Sequence, residues 1–407
     1  MSGVGVLTGP VSTTLQPGDI GELRRWGMLA VGTFAQAASA ITVHGPAFLI
    51  PVLHDRLGLS LFEAGVVAAA PMLGVMLTLV LWGLVVDRRG ERFALLAGLL
   101  GTTLAGGAAI LVDGVVWLSM ALFLAGAAAA STNSASGRVV VAWFPPDRRG
   151  LAMGIRQMAQ PVGVGLAAIT LAVVADRSGI SAALVLAPLA SLVAALAVAV
   201  VVIDPPRPER TAESAPNPYR QNDYLSRIHG VSTLLVVPQF VVWTYALVWL
   251  VQDRAWSPAA AGTAVAAAQV FGAFGRIAAG QLSDMVGSRL RPLRWVALAA
   301  ATTMAALGLA AWLDWGVAVV LMVVATAVTV ADNGLAFTAV AERAGAFWSG
   351  RALGIQNTAQ FLTAAAVPPV AGLLVPATGF PVLFAGAAVF PLVATLLVPV
   401  AHERDLS

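Results

Sequence analysis

The chain has 407 residues, 59% of them hydrophobic and 11% charged, a balance that excludes a soluble globular protein. Its formal net charge of +3 comes from 23 basic residues, all arginine, set against 20 carboxylates, and with no soluble domain to carry a basic face it excludes nucleic-acid binding. It has no cysteine, so disulfides and thiolate chemistry are excluded as well.

Apolar runs of 18 or more residues are long enough to cross a hydrocarbon core of roughly 30 Å as helices, and no stretch alternates with the period of two that a barrel needs. The N-terminal stretch lacks the pattern of a cleaved signal peptide. In chain order the runs predict helices at about 26–52, 61–86, 93–111, 116–143, 152–175 and 181–203, then at about 229–251, 259–283, 294–312, 316–341, 352–376 and 380–401. The expected fold is an all-α membrane protein of 12 transmembrane helices in two pseudo-symmetric six-helix bundles. Residues 1–22 read as a cytoplasmic tail, 23–203 as the N-terminal bundle, 204–227 as a polar cytoplasmic linker, 228–401 as the C-terminal bundle and 402–407 as a second tail.

Arginine placement orients the chain. With a cytoplasmic N-terminus, 17 loop and tail arginines lie inside and only three, Arg56, Arg177 and Arg254, lie outside. The positive-inside rule then puts both termini in the cytoplasm of a multi-pass protein of the bacterial cytoplasmic membrane.

The sequence repeats itself. Gly83–Arg92 (GLVVDRRGER) and Gly280–Arg289 (GQLSDMVGSR) match at an offset of 197, pairing Asp87 with Asp284, Gly90 with Gly287 and Arg92 with Arg289. At an offset of 200, Asn133 meets Asn333 and Gly150–Gln160 matches Gly350–Gln360. Two halves of six helices that both start inside make a parallel repeat about an axis along the membrane normal.

The GxxxDRRGxR motif after helix 2, its weaker echo after helix 8 and the twelve helices around a central linker resemble the major facilitator superfamily of secondary transporters. The resemblance implies two bundles rocking about a central site lined by helices 1, 4, 7 and 10, in a protein that is monomeric. It also implies that Asp87 faces the start of helix 11 near Gly350–Leu353 and Asp284 the start of helix 5 near Gly150–Met153. There the helix dipole favours a carboxylate, so that Asp87, Arg88, Gly90, Arg92, Asp284, Gly287, Arg289 and Arg138 form the cytoplasmic gate. Met285 and Val286 replace Arg88 and Arg89 in the second copy, which predicts a weaker latch. Solvated anchoring is the competing reading for Arg88, Arg89 and Arg291.

Ionisable side chains at membrane depth are functional candidates by default. Arg276 lies in helix 8, eight residues before Asp284, and Asp332 lies beside Asn333 in helix 10. One reading is a buried structural ion pair. The other is that Arg276 binds an anion through its fork of donors. GRIAAGQLSD around Arg276 is similar to helix 8 of nitrate, oxalate and monocarboxylate carriers, which implies anion contact. Nitrate porters carry a second arginine in helix 2, where the offset of 197 gives Leu79, and this turns the reading toward a small carboxylate. Asp332 and His44 are both candidate proton carriers, through burial and through the ordinary titration range of imidazole respectively. His44, Asn133, Gln239, Trp243 and Asn333 are candidate substrate contacts on helices 1, 4, 7 and 10, although amides there also tie helices together. Matched glutamines on helices 5 and 11, including Gln160 and Gln360, read as packing. Arg138 and Arg156 read as snorkelling or gate residues, with substrate contact as the alternative.

The four histidines are scattered, and no HExxH metal motif or nucleotide-binding loop occurs. The expected function is therefore not enzymatic and needs no metal or cofactor. It is proton-coupled transport of a small, monocarboxylate-like organic anion by alternating access, with symport as one of its two possible directions of coupling. The alternative is proton-antiport export of drugs or hydrophobic metabolites, against which the QPVGVG sequence of helix 5 departs from the motif of drug antiporters.

Overall fold

The computed structural model describes residues 20–144, 152, 155–204, 217–344 and 348–403. All regular structure among them is helical. The N-terminal half contains α1 (Glu22–Leu57), α2 (Leu61–Arg89), α3 (Glu91–Leu111), α4 (Val115–Trp143), α5 (Ile155–Ser178) and α6 (Ile180–Val201). The C-terminal half contains α7 (Tyr224–Gln252), α8 (Pro258–Val286), α9 (Leu290–Trp312), α10 (Val317–Ala344), α11 (349–378) and α12 (380–397). Ten stretches are long and apolar enough to cross a membrane; one of them, Arg351–His402, holds two crossings on either side of Gly379. The more polar α8, with 29 residues, completes the twelve that the apolar runs predict.

Two of the breaks in helical continuity, in α1 and α10, lie at membrane depth beside the centre. α1 passes through a 3-10 turn at Gly45–Leu49, where Pro46 lacks the N–H that an α-helix needs. α10 opens at 329–331, so that a second helical segment starts at Asp332. Irregular backbone at this depth is tolerated where it is buried in protein or lines a cavity.

α1 and α7 are the most buried crossings, with 94% and 83% of their central windows covered, against 39% for α3 and 33% for α6. They form the shared centre, and α3 and α6 face lipid with side chains such as Leu104 and Leu196. The halves meet through three helix pairs at the end remote from the termini. α2 lies against α11, where an added Cβ on Gly372 would sit 2.4 Å from the Leu61 carbonyl oxygen. α5 lies equally close to α8, with Gly262 placed 2.4 Å by the same measure from the Ala168 carbonyl oxygen. α1 meets α7, and Gln252 donates to Asp55 across the boundary at 3.5 Å. That end of the molecule is sealed.

α7 ends just before Ala255, which has φ +54, with the Trp256 N–H closing the turn onto the Leu250 carbonyl at 2.9 Å. The left-handed region costs an L-residue with a side chain about 1–2 kcal/mol that glycine avoids. Ala255→Gly is expected to stabilise the protein by about 0.5–1 kcal/mol. A thermal melt in detergent checks this, and an unchanged or lower midpoint would contradict it.

Candidate functional site

Two matched hydrogen bonds frame the centre. Gln36 on α1 donates its amide N–H to Asn133 Oδ1 on α4 at 2.9 Å. Asn333 on α10 donates to Gln239 Oε1 on α7 at 3.2 Å. The partners are related by offsets of 200 (333 − 133) and 203 (239 − 36), so each ties the first helix of a half to its fourth. In the N-terminal half the chain of contacts continues from Gln36 to Ser136 at 3.3 Å and from Ser136 to Arg156 Nε at 2.9 Å. Arg156 therefore turns inward. In the C-terminal half Gln360 donates to Asn333 Oδ1 at 3.2 Å.

Arg276 and Asp332 lie beside this framework. Gly275 lets α8 press against α10, where an added Cβ would stand 2.8 Å from the Ala327 carbonyl oxygen. The break in α10 then places Asp332 in the first turn of its second segment, 1% exposed. The N–H groups of residues 332 and 333 act on the carboxylate, but neither makes a well-formed bond to it. Arg276 and Asp332 are within electrostatic reach of each other. Yet both Asp332 oxygens and the Arg276 Nε are buried without a hydrogen-bond partner among the described residues. They are neighbours without the closed geometry of a structural ion pair.

His44 and Trp243 stand at the junction of the halves. The His44 ring packs edge-on against Trp243 at 5.5 Å and lies 5.8 Å from Phe240. Its Nε2 meets the Gln160 amide nitrogen at 3.3 Å. Arg276 also acts on His44 across the boundary. A small cavity of ≈ 10 Å³ is lined by His44, Phe48, Met72, Phe240, Trp243 and their neighbours.

At the end bearing the termini, the motif glycines Gly90 and Gly287 adopt φ +95 and +64 at the ends of α2 and α8, a conformation suited to glycine. Arg92 N–H donates to Asp204 at 2.7 Å and its guanidinium to the Ala199 carbonyl at 2.6 Å. Arg289 pairs with Asp284 at 2.5 Å and with Glu342 at 3.4 Å, and its backbone N–H donates to Glu403. Partial burial opposes the charge on Arg289, but Asp284 and Glu342 hold its guanidinium above the usual arginine range. These contacts run within a half, so Asp284 faces its own loop. Arg88 is exposed at the end of α2. The side chains of Asp87 and Arg138, and most of Gly150–Met153, lie outside the described residues.

Sequence reasoning brought together Asn133, Gln239 and Asn333 only as members of a cavity lining, and did not single out Gln36 as the partner of Asn133. It missed Gln160 as the partner of His44, and Asp204 and Glu403 as acceptors at the starts of α3 and α9. The last pair carried a signal, since 403 − 204 gives 199, close to the repeat offsets.

A sequence model of the family described as Major Facilitator Superfamily matches residues 29–368. An uncharacterized MFS-type transporter of Mycobacterium tuberculosis is 44% identical over 379 residues, covering 92% of this chain and 85% of the relative. A hexuronate transporter of Bacillus subtilis is 27% identical over 113 residues, 28% of this chain and 27% of the relative. Among solved structures, a bacterial homologue of the human lysosomal transporter Spinster, in an inward-facing and occupied conformation, superposes with a TM-score of 0.77 at 15% identity over 93% of this chain and 97% of the other.

Proposed function

The chain belongs to the major facilitator superfamily, and on that premise we propose that it carries a small, monocarboxylate-like organic anion by alternating access coupled to protons. That it is a secondary transporter and not an enzyme follows from the family. The observation that carries the finer reading is the unmatched pair at the centre. Arg276 and Asp332 are buried within reach of each other, with Arg276 Nε and both Asp332 oxygens unbonded. A buried pair kept for stability alone is satisfied by good geometry and further hydrogen bonds. Here the arginine is left to bind an anion and the carboxylate to gain and lose a proton as the anion comes and goes. The hexuronate transporter similar to part of this chain carries, by its name, a carboxylate.

Asn133, bonded to Gln36, and Gln239, bonded to Asn333, brace the helices on either side of the proposed cargo site, where His44 and Trp243 stand at the junction of the halves. His44 is held by Gln160 and two aromatic rings, which favours Asp332 as the proton carrier. With both termini cytoplasmic by the arginine bias, the sealed end is extracytoplasmic and the protein stands inward-facing, as a monomer in the bacterial cytoplasmic membrane. The latch proposed for the closed cytoplasmic side is made by Asp87, Arg88, Arg92, Asp284, Arg289 and Arg138.

Uptake of a panel of small carboxylates by proteoliposomes, with and without an inward proton gradient, tests the reading. Wild-type protein is expected to accumulate at least one acid under the gradient. Asp332→Asn is expected to lose that accumulation by about ten-fold or more while still exchanging labelled for unlabelled acid. Gradient-driven uptake that survives the substitution would remove Asp332 from the proton path.

A further inference from the structure

His44 and Trp243 approach one cavity from opposite halves of the molecule, and the chemistry of their ring nitrogens is constrained. In the assigned amide orientation, Gln160 presents its nitrogen to His44 Nε2 at 3.3 Å. An amide nitrogen only donates, so Nε2 accepts and the imidazole proton resides on Nδ1. Nδ1–H is then a donor, and the Trp243 indole Nε1–H is a donor by its chemistry. His44 is 5% exposed and Trp243 4% exposed, and both nitrogens are buried with no hydrogen-bond partner among the described residues.

Both residues line the same cavity of ≈ 10 Å³, which is room for about one oxygen-sized group. Its remaining walls are Ala47, Phe48, Met72, Val164, Phe240 and Thr244. A buried N–H without an acceptor carries a substantial penalty, so a pocket with two such donors selects an acceptor. Met72, Phe48, Phe240 and Val164 offer no competing acceptor of comparable strength, and the Thr244 hydroxyl in the same wall bonds neither nitrogen.

We propose that His44 and Trp243 form a two-donor subsite for one neutral acceptor oxygen of the cargo, with Gln160 as the positioning residue that fixes the His44 tautomer. The proposal rests on the anion reading of Arg276 and deepens it: the cargo class becomes a small carboxylate with an additional carbonyl or hydroxyl oxygen. Arg276 takes the carboxylate, and the His44–Trp243 pair takes the second oxygen. Gln360, at the matching position of the other half, bonds Asn333 instead, so the subsite belongs to the N-terminal half and α7 alone.

The test uses the full-length protein in proteoliposomes and two acids of matched chain length, pyruvate and propionate, which differ by the 2-oxo oxygen. Wild-type protein is expected to favour pyruvate in kcat/KM by about ten-fold or more. Trp243→Phe keeps the ring and removes the N–H, and Gln160→Leu releases the tautomer. Each is expected to bring the pyruvate-to-propionate ratio toward one mainly by raising KM for pyruvate. Equal uptake of both acids by wild-type protein would overturn the subsite and leave the anion reading standing. Failure to carry either acid would overturn the subsite, and failure across the whole carboxylate panel would overturn the anion reading as well. A ratio untouched by Trp243→Phe would also overturn the subsite, and one untouched by Gln160→Leu would overturn the positioning role. Independently of any transport variant, ¹⁵N NMR of histidine-labelled wild-type protein, with the His44 signals assigned from His44→Asn, is expected to show the neutral Nδ1–H tautomer. The Nε2–H tautomer would overturn the proposal.

Discussion

Arg276→Gln is expected to lower carboxylate uptake by on the order of 100-fold or more, the scale of removing one member of a desolvated, charge-assisted contact. Arg276→Lys is expected to recover little, because an ammonium lacks the planar fork that meets a carboxylate. The double variant Arg276→Gln with Asp332→Asn separates binding from structure. Removing the arginine alone leaves Asp332 buried beside no cation, and that member of the cycle should also lower stability. Neutralising both is expected to restore thermal stability without restoring uptake. A double variant that regains both would mean that the two residues serve only each other, and the anion site would have to lie elsewhere.

Gly262→Val is the second large effect. Its Cβ would stand 2.4 Å from the Ala168 carbonyl oxygen, a backbone atom that cannot step aside as a flexible side chain can. The α5–α8 seam must part, at the scale of about 1–3 kcal/mol for overpacking. Two conformations of a transporter differ by only a few kcal/mol, so the sealed end is expected to open in most molecules and turnover to fall by about ten-fold or more. The protein has no cysteine, so Asp55→Cys with Gln252→Cys supplies a clean pair of labelling sites across that end. Spin labels there are expected to move apart in Gly262→Val. An unchanged distance distribution would show that the seam does not control closure.

These effects depend on features of two kinds, some written in the sequence and some made only by folding. Arg276 and Asp332 were visible as charges in apolar runs, because an ionisable residue at membrane depth is rare whatever surrounds it. Their open geometry was not visible. It follows from the break in α10 at 329–331 and the close approach of α8 at Gly275, neither of which is written in hydropathy. Gln160 and Gln360 look equivalent in sequence, yet one holds His44 and the other Asn333. The α1 histidine has no counterpart in α7, so the repeat could not announce the difference. Asp204 and Glu403 looked like ordinary loop charges until folding set them on the N-termini of α3 and α9.

The sequence by itself determined the membrane class, the twelve crossings, the duplication and the family, because apolar length and a repeated motif are one-dimensional properties. The GxxxDRRGxR loop is legible because its glycines answer a local backbone demand. The tertiary structure alone decided which end is sealed, which amides bond each other and which donors remain free at the centre. Those depend on side chains from helices more than a hundred residues apart meeting at angstrom precision. The choice of sealed end depends further on a balance between two packings that a single sequence must encode together.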